Sequence, residues 1–207
     1  MMMSIIYITG TDTGVGKTVV TSYLHHWFKH NGTRCITQKW IQCGALDSPD
    51  IVSHDQWVTM ESLSNEIQEA RNPYQFKAPV SPHLASEMES RPIQTSRLLS
   101  ATKQLASISD VVLIEGAGGL MVPITKRETL VSPVKALNVP VVLVAANRVG
   151  CINHSVLTVN ELKSNGLNCI GIVMTQIDPD ENKSAMQDNP SIIEEITQVP
   201  ILGLIPY

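Results

Sequence analysis

The segment ITGTDTGVGKTVV, Ile8 to Val20, is the most informative in the chain. It follows an apolar, β-branched run, SIIYIT (4–9), and leads into a helical pattern at about 17–31. Gly10, Gly14 and Gly16 stand where an extended segment must turn sharply into a helix. Glycine there permits positive φ and close approach of the backbone. The N–H groups of such a loop and of the first helical turn converge on an anion, aided by the helix dipole. Lys17 then reaches the β- and γ-phosphates, and the Thr18 hydroxyl ligates Mg²⁺. The usual phosphate-loop pattern is G-x-x-x-x-G-K-[ST]. Here five residues separate Gly10 from Gly16, and Thr11 stands where the first glycine is expected. The strand–loop–helix ending in Gly-Lys-Thr still predicts a nucleotide site formed by Thr13, Gly14, Val15, Gly16, Lys17 and Thr18.

Outward from this loop, short apolar runs recur: RCITQKW (34–40), DVVLIEG (110–116), VPVVLVAAN (139–147), NCIGIVM (168–174) and PILGLI (200–205). Most are apolar on both faces, as strands between two helical layers should be. Helical patterns lie between them at about 94–107, 128–137, 153–165 and 190–197. The alternation predicts an α/β fold of the P-loop NTPase kind, with a mostly parallel central sheet and helices on both faces. One domain over residues 1–207 suits the length. Residues 44–93, rich in Ser and Pro, read as an irregular excursion holding short helices on the substrate side.

Composition narrows the function. Of the 207 residues 43% are hydrophobic and 16% charged, ordinary values for a globular chain. A net charge of −4 with no basic block argues against electrostatic binding of nucleic acid. Cys35, Cys43, Cys151 and Cys169 form no C-x-x-C pair and read as reduced thiols. No apolar run is long enough to span a membrane and no basic leader precedes Thr9, so a cytoplasmic location is expected.

A phosphate loop needs a carboxylate for its metal. Glu115 ends the strand DVVLIE just before GAGG, at the sheet edge where ligands bind in open α/β folds. Asp55, in SHDQW, lies in the excursion, and by sequence alone reads better as a bystander. Lys39 follows the second strand and emerges at the same edge. A cation there neutralises a transferring phosphoryl group, although a solvated strand-end lysine is an equal reading.

TGTDTGVGKT, QKW with Lys39, SHD, NPYQF with SPHLA, IEGAGGLMVPI and GCINHSVLT occur in the order found in dethiobiotin synthetases, and the chain resembles that family from Ile8 to Pro206. The five-residue loop spacing is then the family's own variant. Partitioning ATPases and septum-placing relatives carry a lysine at the position of Asp12, so its absence speaks against a nucleotide-switched role of that type. The resemblance implies ATP- and Mg²⁺-dependent closure of the ureido ring of 7,8-diaminopelargonic acid with CO₂, giving dethiobiotin, ADP and phosphate. It implies metal positions at Thr18, Asp55 and Glu115, with Lys17 and Lys39 as the lysines at the carbamate and γ-phosphate. It further implies that Gly150, Cys151, Ile152 and Asn153 bind the substrate carboxylate from the neighbouring subunit of a homodimer.

Some positions depart from the family pattern. Cys43 replaces a serine or threonine beside the substrate, and Trp40 and Gln42 imply a repacked pocket wall. Thr175 and Gln176 stand where an asparagine reads adenine in relatives. Pro133 is expected in the first turn of its helix, and the sequence ends at Tyr207 where relatives continue near the nucleotide. A homologue without turnover is the remaining alternative; retention of Lys17, Thr18, Lys39, Asp55 and Glu115 argues against it. Other side chains have plainer readings: His26 and His30 as a solvated helix face, His54 as a surface histidine, Tyr23, Trp27 and Trp57 as core or interface, and Asn153 as a helix cap.

Overall fold

The computed structural model describes residues 4–60 and 62–207. In chain order the elements are β1 (Ser4–Gly10), α1 (Lys17–His30), β2 (Cys35–Lys39), β3 (Ile41–Cys43), α2 (Pro49–Asp55), α3 (Asn65–Arg71), β4 (Tyr74–Phe76) and α4 (Pro82–Met88). There follow α5 (Thr95–Ala106), β5 (Val111–Gly119), α6 (Val131–Leu137), β6 (Val141–Ala146), α7 (Cys151–Ser164), β7 (Cys169–Thr175), α8 (Lys183–Thr197) and β8 (Ile201–Ile205). All six strands expected from the apolar runs form one sheet in the order β2-β5-β1-β6-β7-β8. Every pairing in it is parallel.

The strands are apolar throughout because both faces are covered. Along β5, Val112 and Ile114 join the core that includes Tyr7, Leu98 and Leu105, whereas Val111 and Leu113 join the one with Val20 and Val144. Each such side chain contributes roughly 1.5–3 kcal/mol on burial. A third cluster, including Leu143, Val159 and Ile193, packs α7 and α8 on β6 and β7. No helix among the described residues is long and apolar enough to cross a membrane.

The excursion is more ordered than its composition suggests. It holds α2, α3 and α4, and its strands β3 and β4 pair in parallel as a separate two-stranded sheet. Helix boundaries also moved. The last helix starts at Lys183, not near 190, and carries Pro190 inside it. Helix α7 begins at Cys151 after Gly150 at φ 92°, so Asn153 lies inside the first turn and is not the cap. Pro133 does fall in the first turn of α6, where its missing N–H costs no helical bond.

Tyr23, Trp27 and Trp57, expected in the core or at an interface, are about half exposed, which excludes the core reading and leaves the interface one. Trp40 points inward against Tyr7 and donates its indole N–H to Gln38 Oε1 and Thr102 Oγ1, each at 3.1 Å, so it is no pocket wall.

Candidate active site

The loop between β1 and α1 is built as its glycines require. Gly14 and Gly16 take φ of 73° and 90°. Gly10 serves by close approach instead: a Cβ there would lie 2.8 Å from Val15 Cγ2 and 2.9 Å from Asp12 O. Thr11 N–H donates to Val144 O at 2.9 Å, tying the loop to β6. Lys17 Nζ curls back to Asp12 O at 2.7 Å. Burial and the nearby Lys39 ammonium lower its pKa to about 8, despite Glu115, Asp12 and Asp50.

Strand register brings the next groups together. β2 and β5 pair with Lys39 directly opposite Glu115, and laterally paired residues project from the same face. Lys39 Nζ lies 2.5 Å from Glu115 Oε1 and 2.7 Å from Asp50 Oδ2. Thr18 Oγ1, at the start of α1, donates to the same Glu115 Oε1 at 3.2 Å. Burial alone would raise the Glu115 pKa, but the Lys39 charge and the His54 hydrogen bond outweigh it and hold it down to about 2. Burial likewise opposes charge on Lys39, yet Glu115 and Asp50 raise its pKa. Both groups are therefore charged at neutral pH.

Helix α2 resolves the question of its aspartates. Asp50 and His54 are four residues apart, so they share one face of the helix. Asp50 reaches Lys39, and His54 Nε2 lies 2.6 Å from Glu115 Oε2. Asp55 faces elsewhere. Both its oxygens accept from the Arg71 guanidinium at 2.7 Å, and Arg71 also donates to Thr37 O and Thr37 Oγ1. Asp55 is thus a clamp holding α2 against α3 and β2, and Asp50, not Asp55, stands beside Lys39 and Glu115. His54, expected at the surface, is fully buried. The spacing within SPDIVSHD, with Pro49 opening the helix, was the signal for an Asp50–His54 face.

Thr18, Glu115 and Asp50 offer a hydroxyl and two carboxylates around the Lys39 ammonium. An all-oxygen set of few protein ligands fits Mg²⁺, which keeps most of its waters and shares phosphate oxygens.

Besides a cleft along Thr11, Asp12, Thr13 and Met121, two more lie around the loop. One of about 500 Å³ is lined by Thr13, Lys39, Gln42, Cys43, Asp50 and Gly118, among others. Burial pushes the Cys43 thiol up to about 11, so it stays protonated at neutral pH. Gly150, Cys151, Ile152 and Asn153 do not line this cleft. The other, of about 720 Å³, lies beyond the loop between Asn147, Gln176, Met186, Pro190 and Pro206. Thr175 also borders it, but its hydroxyl donates to Val15 O at 2.7 Å and so braces the phosphate loop.

The chain matches the family model described as an AAA domain over residues 4–207. It is 34% identical to the ATP-dependent dethiobiotin synthetase BioD of Thermodesulfovibrio yellowstonii, over 97% of this chain and 88% of that one. It is 38% identical to the BioD of Halalkalibacterium halodurans, over 97% and 84%. Among solved structures it is similar to the septum site-determining protein MinD of Pyrococcus horikoshii, with a TM-score of 0.62, 18% identity and coverage of 99% and 82%. A ParA family ATPase of Chlorobium tepidum gives 0.59 at 12% identity, over 100% and 84%. At these identities the structural likeness concerns the fold alone.

Proposed function

The chain belongs to the ATP-dependent dethiobiotin synthetase family, and from that premise we propose that it closes the ureido ring of 7,8-diaminopelargonic acid with CO₂ and ATP. One amine of the substrate captures CO₂ as a carbamate, releasing a proton. A carbamate oxygen attacks the γ-phosphorus and ADP leaves. The second amine then attacks the carbonyl of the resulting anhydride, expels phosphate and closes the ring.

The observation that carries this reading is the convergence of Thr18, Lys39, Asp50 and Glu115 from four elements beside one cleft, which Lys39 and Asp50 line. Carbamate and triphosphate are both anions, so their contact needs cations and fixed positions. Lys17 holds the β- and γ-phosphates, and Lys39 lies where the carbamate meets the γ-phosphate. Thr13, Gly14, Val15 and Gly16 supply the loop around the phosphates. Thr18 Oγ1 and the Glu115 and Asp50 carboxylates would hold Mg²⁺, which would neutralise charge on the β- and γ-phosphates. Gln42 and Cys43 line the wall facing the diamine. The larger cleft beyond Thr175 takes the nucleoside.

The substrate carboxylate is bound at the α7 N-terminus, Gly150 to Asn153, of a second copy in a homodimer; the absence of these residues from the Lys39 cleft of their own chain supports that arrangement. Phosphate release from Mg²⁺ and ATP tests the whole. Release that requires both the diamine and bicarbonate, with dethiobiotin formed in step, is expected. Hydrolysis indifferent to either compound refutes the reading.

A further inference from the structure

Lys39 and Thr18 both meet Oε1 of Glu115, and the chemistry above leaves His54 without a part. His54 closes the last turn of α2, is 0% exposed, and sets Nε2 2.6 Å from Glu115 Oε2. A carboxylate at this charge state only accepts hydrogen bonds, so Nε2 carries the proton and donates. Nδ1 is buried as well, and among the described residues it has no hydrogen-bond partner. An orphaned polar atom inside a protein costs stability. An aliphatic side chain of similar volume would fill the space without that cost, so packing alone does not account for an imidazole here.

The two oxygens of Glu115 have separate surroundings. Oε1 meets Lys39 Nζ and Thr18 Oγ1 on the phosphate side, and Oε2 meets His54. The histidine is itself held in place. Its carbonyl lies 3.0 Å from His25 Nδ1, a buried ring on α1, and the next residue, Asp55, is clamped by Arg71. The imidazole is therefore a fixed donor aimed at the far oxygen of a charged, buried carboxylate.

We propose that His54 is a positioning residue: by occupying Glu115 Oε2 it fixes the carboxylate so that Oε1 alone is presented to the cation at the phosphates. The proposal rests on the nucleotide–metal site described under the proposed function. Hydrogen-bond partners behind a metal-binding carboxylate typically contribute about 10–100-fold to metal affinity or activity.

The test compares the full-length wild type with His54→Leu, His54→Gln and His54→Asn. Three readouts are taken: Mn²⁺ affinity of the ADP complex by electron paramagnetic resonance, ADP affinity in EDTA, and half-saturating Mg²⁺ in turnover. His54→Leu is expected to weaken Mn²⁺ binding and raise the Mg²⁺ requirement about tenfold or more, with metal-free ADP binding unchanged. His54→Gln, whose amide nitrogen reaches about as far as Nε2, restores most of the loss. His54→Asn is too short and does not, so the Gln and Asn pair decides the matter even if the leucine variant fails to fold. Mn²⁺ affinity equal to wild type in both the leucine and asparagine variants overturns the proposal. So does equal loss of metal-free and metal-bound ADP affinity in all three, which marks a purely structural role. Wild type that binds ADP without any metal dependence removes the proposed metal site and this inference with it, whereas a metal effect in wild type alone isolates His54.

Discussion

Replacing Asp55 and Asp50 separately distinguishes a clamp from a metal ligand on one short helix. Arg71 is 1% exposed and donates to both Asp55 oxygens at 2.7 Å. In Asp55→Asn the guanidinium keeps its bonds to Thr37 but loses its counter-charge and one of the two acceptors. A hydrogen bond to a charged group is worth about 1.5–3 kcal/mol. The Asp55 side chain is 22% exposed, so solvent recovers part of the loss, and about 2 kcal/mol of destabilisation is expected. For a chain of this size that lowers Tm by about 4–8 °C. Turnover below the transition and the Mg²⁺ requirement should hardly change. In Asp50→Asn, Lys39 keeps its bond to Glu115, so Tm should stay close to wild type, while half-saturating Mg²⁺ rises about tenfold or more. Thermal unfolding by circular dichroism and Mg²⁺ titrations of phosphate release read both effects. A stable Asp55→Asn with a tenfold higher Mg²⁺ requirement, beside a silent Asp50→Asn, would refute the placement.

Three further outcomes follow from the site. Lys39→Ala should cut turnover far more than ADP affinity, because its charge matters most when the γ-phosphate moves; equal losses in both measurements would remove it from the reacting centre. The lowered Lys17 pKa, about 8, sets a pH dependence of nucleotide binding. Phosphate favours the ammonium and raises that pKa in the complex, so ADP affinity in EDTA should be flat below pH 8 and fall by up to about tenfold per unit above it, as calorimetry from pH 6.5 to 9.5 would reveal; affinity that rises above pH 8 contradicts the assignment. Gly16→Ala places a side chain at φ 90°, with its Cβ 2.9 Å from Thr175 Cγ2. It should cost about 2 kcal/mol and lower Tm by about 4–8 °C while weakening nucleotide binding; an unaffected Tm would show that the loop adapts.

Features set by local chemistry were legible in the chain alone. A glycine-spaced loop between an apolar run and a Lys-Thr helix start can be read without knowing the rest of the chain, because its φ angles and N–H groups depend on neighbours a few residues away. The doubly covered strands were equally legible, since burial on both faces removes the polar alternation. Lys39 and Glu115, separated by 76 positions, were each visible as strand-end residues, but their contact required the β2–β5 register.

Which side of α2 faces the site follows from packing across the fold. Asp50 and Asp55 are five residues apart and therefore about 140° apart around a helix, so one alone can meet Lys39. Which one does is set by how α2 docks against α1, and that docking depends on His25, Arg71 and Thr37 from distant segments. The same docking buries His54, whose polar ring reads as a surface residue when burial is judged from the side chain alone. Helix phase and strand register are products of packing, and a single segment does not contain them.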